Sequence, residues 1–184
     1  MFVALAAATL MLAPSEAAVP KDYYEINSTY ARACAQGAVG ARKGAGDQAA
    51  LEACTKALAT EPWNDRGLAE ILTNRGAIRF HAQDQAGALK DFNDAIAKRP
   101  DYAQAYVNRA GVYLAGRDFE QARADADRSI ELDKTNARAW LMRGAANEML
   151  GKTTQAYLDY QMAARLDPDW DQPMAELARF RVAK

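Results

Sequence analysis

The chain has 184 residues, of which 50% are hydrophobic and 26% are charged, and its formal net charge at pH 7 is −1. This balance is typical of a folded domain or a short repeat array and unlike that of a disordered chain. A near-neutral charge without any basic cluster argues against a polyanion-binding surface, so we expect no nucleic-acid partner. Alanines recur at helical spacing and β-branched residues rarely cluster, which predicts helices throughout.

The first segment of the chain has the features of an export signal. Residues 1–13 are almost wholly apolar, polar residues follow, and Ser15-Glu16-Ala17 fits a small-x-small cleavage site. The apolar run is too short for a transmembrane helix, which needs about 20 residues, so we expect no integral membrane span. The sequence predicts a signal peptide over 1–17, cleaved near Ala17–Ala18, and a periplasmic or secreted protein. Because no Lys or Arg precedes the apolar run, a loose N-terminal helix of a cytosolic protein is the alternative.

The remainder, 22–184, is predicted to be one domain with an internal period of 34 residues. Small residues recur at this period, as in Gly76, Ala110 and Gly144, and proline closes three of the four copies. Two helices that approach closely need small side chains where they touch, so each copy is predicted to be a helical hairpin. The copies are 31–64, 69–102, 103–136 and 137–170, with four additional residues, 65–68, after the first.

This pattern resembles the tetratricopeptide repeat, a helix–turn–helix unit of about 34 residues with small-residue and proline signature positions. The resemblance covers about 31–170. It implies an all-α, right-handed superhelical solenoid of about four repeats, with a C-terminal capping helix over about 172–182. Asp84 and Asp118 precede second helices and are expected to cap them. The run "LEACTKAL" is also similar to the opening repeat of exported bacterial members of this family.

A pair of opposite charges recurs with the same period. Arginines lie between apolar positions of the first helices, and aspartates lie in the second helices of the same copies. The first copy has Gly37 and Ala53 at the equivalent places, so it lacks both charges together. An antiparallel hairpin brings each arginine opposite the aspartate of its own repeat. Structural ion pairs are therefore predicted, with ligand binding by the arginines as the alternative. The predicted pairs are Arg75–Asp91, Arg109–Asp125 and Arg143–Asp159.

The two cysteines occupy the two helices of the first repeat. Cys34 and Cys54 fall opposite each other in an antiparallel hairpin, in register with the small residues of the next repeat. Facing cysteines behind an export-like N-terminus predict a disulfide, which would stabilise the repeat that lacks the ion pair. No Cys-x-x-Cys spacing indicates a redox centre. Two free thiols in a cytosolic protein are the alternative.

The sequence offers no constellation for catalysis. His81 is the only histidine, so neither a histidine metal site nor shared acid–base chemistry can be assembled around it. The glycine-rich run 37–47 lacks the Gly-Lys-Ser/Thr ending of a phosphate-binding loop. We therefore expect no enzymatic activity, no cofactor and no metal.

In the tetratricopeptide family the first helices line the concave face, and the resemblance implies a binding groove there. Asparagines in such a groove can bond the backbone of an extended peptide, and methionines form an adaptable apolar end. Thr73 and Val107 stand where relatives that clamp an acidic C-terminus have lysines. The alternative is that small side chains merely let the repeats curve. The predicted groove residues are Thr73, Asn74, Phe80, Gln104, Val107, Asn108, Leu114, Arg138, Leu141, Met142 and Met149.

Together these features predict a non-catalytic scaffold or adaptor that binds a protein or peptide partner, most simply in the periplasm. The second hypothesis is a cytosolic regulatory or chaperone-like module whose cysteines are not bridged. Exposed alanines would equally suit a homodimer, so a homo-oligomer is a further possibility that the sequence leaves open.

Overall fold

The computed structural model describes residues 29–41, 48–60 and 62–180. The predicted signal peptide, the turn of the first repeat and the last residues of the predicted capping helix lie outside these ranges. Within them the fold is all-α, and no strand occurs. The helices are α1 (Thr29–Ala41), α2 (Gln48–Thr60), α3 (Asp65–His81), α4 (Gln85–Lys98), α5 (Ala103–Ala115), α6 (Phe119–Leu132), α7 (Ala137–Met149), α8 (Thr153–Leu166) and α9 (Asp171–Phe180).

Consecutive helices pair into hairpins, α1 with α2, α3 with α4, α5 with α6 and α7 with α8, and α9 covers α8. The first helices of successive hairpins also contact one another, whereas each second helix packs against the first helix of the next hairpin. The first helices therefore form an inner layer and the second helices an outer layer. This is the architecture of a repeat solenoid, in which each unit contacts only its neighbours.

The four residues that interrupt the period lengthen a helix instead of forming a loop. α3 has 17 residues and α1, α5 and α7 have 13 each, because 65–68 add a turn at its start. Asn64 caps this turn, since its Oδ1 accepts a hydrogen bond from the Gly67 N–H at 2.9 Å. A Cβ at Gly67 would come within 2.7 Å of the Trp63 ring, so glycine is required for the ring to lie against the added turn.

In two of the repeats the recurring small residue of the first helix is a glycine, which makes room for an aromatic ring of the second helix. A Cβ at Gly76 would lie 2.6 Å from Cε1 of Phe92, and one at Gly144 would lie 2.7 Å from Cε1 of Tyr160. Both rings are buried. Side chains this tightly packed leave no space for an additional methyl group, so the period of small residues is a packing requirement.

Of the two predicted helix caps, one is present. Asp84 Oδ1 accepts a hydrogen bond from the Gly87 N–H at 2.9 Å, whereas Asp118 makes no side-chain cap. The prediction for Asp118 was wrong. A Cβ on Gly87 would lie only 2.1 Å from Asp84 Oδ2, so the Asp84 side chain takes an orientation that glycine permits. Gln121 stands at the equivalent place in α6, so the Asp118 side chain does not have the same orientation open to it.

Candidate functional site

The recurring arginines of α3, α5 and α7 each pair with the aspartate of the same repeat, the arrangement that the sequence predicts. In every pair the arginine Nε and Nη2 donate to the two carboxylate oxygens over 2.6–3.0 Å. The aspartate side chains are at most 10% exposed. Forked hydrogen bonds of this kind are the strong form of an ion pair. The pairs are Arg75–Asp91, Arg109–Asp125 and Arg143–Asp159.

Two of these arginines, Arg109 and Arg143, also make a second link, which the sequence interpretation missed. Arg109 Nη1 donates to Asn93 Oδ1 at 2.5 Å, and Arg143 Nη1 donates to Asp127 Oδ1 at 2.8 Å. Both acceptors belong to the second helix of the preceding repeat, so each arginine holds three helices together. Asn93 and Asp127 are themselves 34 residues apart, and this periodicity was the signal that could have revealed the link. The hydrogen bond to Asp125 raises the pKa of Arg109 further above its ordinary value.

The first repeat is held by a disulfide in place of an ion pair. Cys34 of α1 and Cys54 of α2 are bonded, with their Cα atoms 4.7 Å apart. Both residues are fully buried in a cluster that includes Ile71 and Ile78 of α3. The bridge therefore lies at the interface between the first and second repeats.

The predicted groove residues divide into accessible and buried positions. Those that reach the surface at least in part are Asn74, Phe80, Gln104, Leu114, Arg138, Met142 and Met149. Asn108 is 9% exposed, and its Oδ1 accepts a hydrogen bond from Gln104 Nε2 at 2.8 Å, one turn earlier on α5. This contact orients the Asn108 amide within the inner layer.

Three predicted groove residues do not line an open surface. Thr73, Val107 and Leu141 are only 2%, 1% and 2% exposed. They occupy the same position of successive repeats, and this position packs toward the following repeat. Val107 packs with Ile130 and Ala139, and Leu141 belongs to the cluster formed with α8 and α9. Their assignment to the groove was therefore wrong, because the solenoid itself covers them.

The C-terminal end of the inner layer contains a cleft of about 890 Å³, which we call the inner cleft. Arg138 and Met142, both predicted, lie there with His81 from the end of α3. Leu166 and Trp170, from the connection between α8 and α9, complete its apolar lining, and the sequence interpretation did not assign them to the groove. Asp167 and Asp169 give the rim a mixed charge. The cleft thus combines an apolar lining with a few polar groups.

Helix α9 closes the last repeat. Leu177 is buried beside Tyr160, and Arg179 Nη2 and the Tyr160 hydroxyl both donate to Glu148 Oε2 at 2.8 Å. Burial, reinforced by the hydrogen bond to Glu148, raises the pKa of Tyr160 above its ordinary value of 10.0. The packing of α9 on the last repeat therefore depends on a neutral Tyr160 side chain.

Within the ranges that the structure describes, no group of three or more histidine, cysteine, aspartate or glutamate side chains is placed to hold a metal ion. The helices of those same ranges are too short or too polar for any of them to cross a bilayer.

Comparison with known proteins identifies the architecture. No family model matches the chain. The solved structure "First TPR of Spaghetti (RPAP3) bound to HSP90 peptide SRMEEVD" matches with a TM-score of 0.61 and 25% identity, over 63% of this chain and 94% of that one. The second tetratricopeptide domain of human RPAP3, in complex with the HSP70 peptide SGPTIEEVD, matches with a TM-score of 0.60 and 28% identity, over 64% and 98%. The fold is a tetratricopeptide-repeat solenoid.

Sequence similarity agrees with this assignment of the tetratricopeptide-repeat fold. Human serine/threonine-protein phosphatase 5 is 35% identical over 117 residues, which cover 62% of this chain and 23% of the phosphatase. The chain spans about a tenth to a quarter of the length of the curated relatives it matches. The resemblance to the tetratricopeptide-repeat family is thus supported by homologues in both sequence and structure.

Proposed function

We propose that this tetratricopeptide-repeat solenoid is a non-catalytic interaction scaffold that holds a peptide segment of a partner protein along its inner layer. The observation that carries the proposal is the inner cleft, where Arg138 and Met142 lie beside Trp170. Its volume of about 890 Å³ falls within the range of roughly 300–1,000 Å³ that is common for ligand pockets. Aromatic and methionine side chains supply adaptable apolar contacts. Asn74 and Asn108, farther along the inner layer, can bond a peptide backbone.

The peptide-bound relatives support a peptide as the occupant of the inner layer. Two of the similar domains are described in complexes with SRMEEVD and SGPTIEEVD, both of which end in acidic residues. In this chain, Thr73 and Val107, which the resemblance aligns with the lysines of relatives that clamp an acidic C-terminus, are uncharged and covered by the solenoid, so they supply no cation to the inner layer. Apolar contacts and backbone hydrogen bonds are therefore proposed to dominate here, with Arg138 as the cation of the inner cleft.

Capture of the partner from an extract of the native source tests this proposal. The immobilised wild-type protein is compared with Asn74→Ala/Asn108→Ala and with a control, Gln85→Ala/Gln121→Ala, which removes two amides from the outer layer. Losing two hydrogen bonds to the peptide is expected to reduce capture about tenfold, while the control retains it. The melting temperatures of all three proteins are expected to agree closely. Full retention of the partner by the inner-layer variant would place the binding surface elsewhere.

We further propose that the chain is exported and works in the periplasm or outside the cell. The apolar N-terminal run with its cleavage site supports this, as does the bonded Cys34–Cys54 pair, since disulfides persist in oxidising compartments. Intact mass from the native host, with and without reductant before alkylation, distinguishes this from a cytosolic chaperone-like module. A chain that starts near Ala18 and is alkylated only after reduction is the expected result. A chain that retains Met1, with both thiols alkylated at once, would contradict export and leave the scaffold proposal standing.

A further inference from the structure

The outer layer contains a second cleft, between α6 and α8. Because the second helices pack against the next first helix instead of against each other, a space of about 640 Å³ remains between these two helices. We call it the outer cleft. Its side chains include Arg123 of α6, Trp140 of α7, and Lys152, Leu158, Met162 and Arg165 from the start and body of α8.

The acidic groups at the base of the outer cleft are already satisfied by internal partners. Asp159 accepts hydrogen bonds from Arg143 and, at 2.9 Å, from Asn147 Nδ2. Asp127 accepts from Arg143 at 2.8 Å and faces the Arg123 Nη1 at 3.6 Å. Neither carboxylate is therefore open to a ligand cation.

Two of the cations at the rim, Lys152 and Arg165, are in contrast not committed. Lys152 and Arg165 form no ion pair with any residue that the structure describes. The Arg123 Nε is buried and has no hydrogen-bond partner within the described ranges. With both carboxylates at the base neutralised, the outer cleft presents a positive potential to solvent.

Two residues of the outer cleft, Lys152 and Leu158, break the pattern of the preceding repeat in ways that do not serve stability. Lys152 places a positive charge at the N-cap position of α8, although negative charge is favoured at a helix start. Leu158 is 57% exposed. One period earlier, the residues equivalent to Lys152, Leu158 and Arg165 are Asp118, Ala124 and Glu131. Local choices that run against stability are most often found at functional sites.

We propose that the outer cleft binds a short acidic segment of a partner protein that also carries an apolar side chain. The carboxylates of such a segment would meet Lys152, Arg165 and the Arg123 guanidinium, and its apolar side chain would pack on Leu158 and Met162. The volume accommodates a short segment and not a folded domain. This second surface lies in the outer layer and is independent of the peptide site proposed for the inner layer.

Fluorescence anisotropy with a labelled probe peptide, Glu-Leu-Asp-Glu-Leu-Asp-Glu-Leu, tests the proposal. The variants are Lys152→Glu/Arg165→Glu and Leu158→Ala, all at exposed positions. The matched control, Lys90→Glu/Lys98→Glu, changes the net charge equally on α4. We expect saturable binding to the wild type that strengthens at lower ionic strength, and about a tenfold loss in the charge-reversed variant. Leu158→Ala should weaken binding but leave its dependence on ionic strength unchanged, because the variant removes an apolar contact and no charge. The Lys90→Glu/Lys98→Glu control should bind the probe as tightly as the wild type does.

Several results would overturn the proposal. They are equal weakening in the Lys90→Glu/Lys98→Glu control, wild-type affinity in both cleft variants, or no binding to the wild type at low ionic strength. Equal binding of a probe in which lysines replace the acidic residues would also overturn it. If sedimentation shows a wild-type dimer that Lys152→Glu/Arg165→Glu dissociates, the outer cleft holds a second copy of the chain and not an acidic partner segment.

Discussion

Replacing Arg109 by Met should destabilise the folded chain, because Met keeps the apolar stem but leaves the Asp125 carboxylate without its main partner. In the structure Arg109 donates to both oxygens of Asp125 at 2.7 Å each, and the Asp125 side chain is only 10% exposed. Water could therefore restore little of the lost solvation. Breaking a buried pair typically costs about 3–5 kcal/mol, and the residual exposure of both side chains favours about 3 kcal/mol here.

The double variant Arg109→Met/Asp125→Leu supplies the contrast that identifies the mechanism. It leaves no stranded charge, and replacing a buried pair by apolar residues is often close to neutral. We expect its free energy of unfolding to lie within about 1 kcal/mol of the wild type. The double variant also loses the hydrogen bond from Arg109 to Asn93, but this loss should lower the free energy of unfolding only slightly because Asn93 is exposed.

Urea unfolding followed by far-ultraviolet circular dichroism measures all four members of this cycle, with Asp125→Leu as the second single variant. Urea slopes that agree among the four proteins would show that the same surface unfolds in each. The coupling free energy is then the difference between the double variant and the sum of the singles. An Arg109→Met midpoint equal to the wild type, or strict additivity in the cycle, would refute a structural ion pair.

Two further predictions concern the ends of the array. Replacing Cys34 and Cys54 together by Ala should lower the free energy of unfolding by about 3 kcal/mol, because the bridge closes a loop over a sequence separation of 20 residues. A urea midpoint that neither this change nor reductant alters would contradict the bridge. The raised pKa of Tyr160 means that the folded state holds its proton more tightly than the unfolded state, whose pKa is near 10.0. This contribution is complete below that pH and is lost above it, by up to about 1.4 kcal/mol per pH unit. Tyr160→Phe should therefore show a flatter decline of stability under alkaline conditions, and an identical decline in both proteins would contradict the burial effect.

Periodicity made the helical hairpins and their internal ion pairs predictable. A buried charge must keep its partner, so Arg75 and Asp91 recur together in the next two repeats and disappear together in the first. The link from Arg143 to Asp127 was not predicted, since a polar residue on an outer helix has many ordinary solvent-exposed roles. The sequence also did not indicate that residues 65–68 form the first turn of α3, because they lie outside the 34-residue repeats and have no equivalent positions in the other copies.

The depth of a residue below the surface was much less predictable than the helix on which it lies. Val107 lies on α5 and Leu141 lies on α7, and each of these helices also carries residues that reach the surface. Only the packing of successive repeats decides which side of each helix becomes covered. Trp170 reaches the inner cleft from the connection between two helices, where the repeat pattern carries no register. Asp118 shows the same limit on a smaller scale, since its place before α6 was predictable and the orientation of its carboxylate was not.

Photo-crosslinking from Gly111 tests most directly whether the inner layer holds the partner. Gly111 lies on α5, and a Cβ added there would meet no described atom within 4 Å, so a benzophenone amino acid can be introduced without a clash at its base. The same amino acid at Lys90, on the outer face of α4, is the control. The partner captured by the wild-type protein is expected to crosslink from position 111 and not from position 90. Crosslinking from position 90 alone would contradict an inner-layer peptide site.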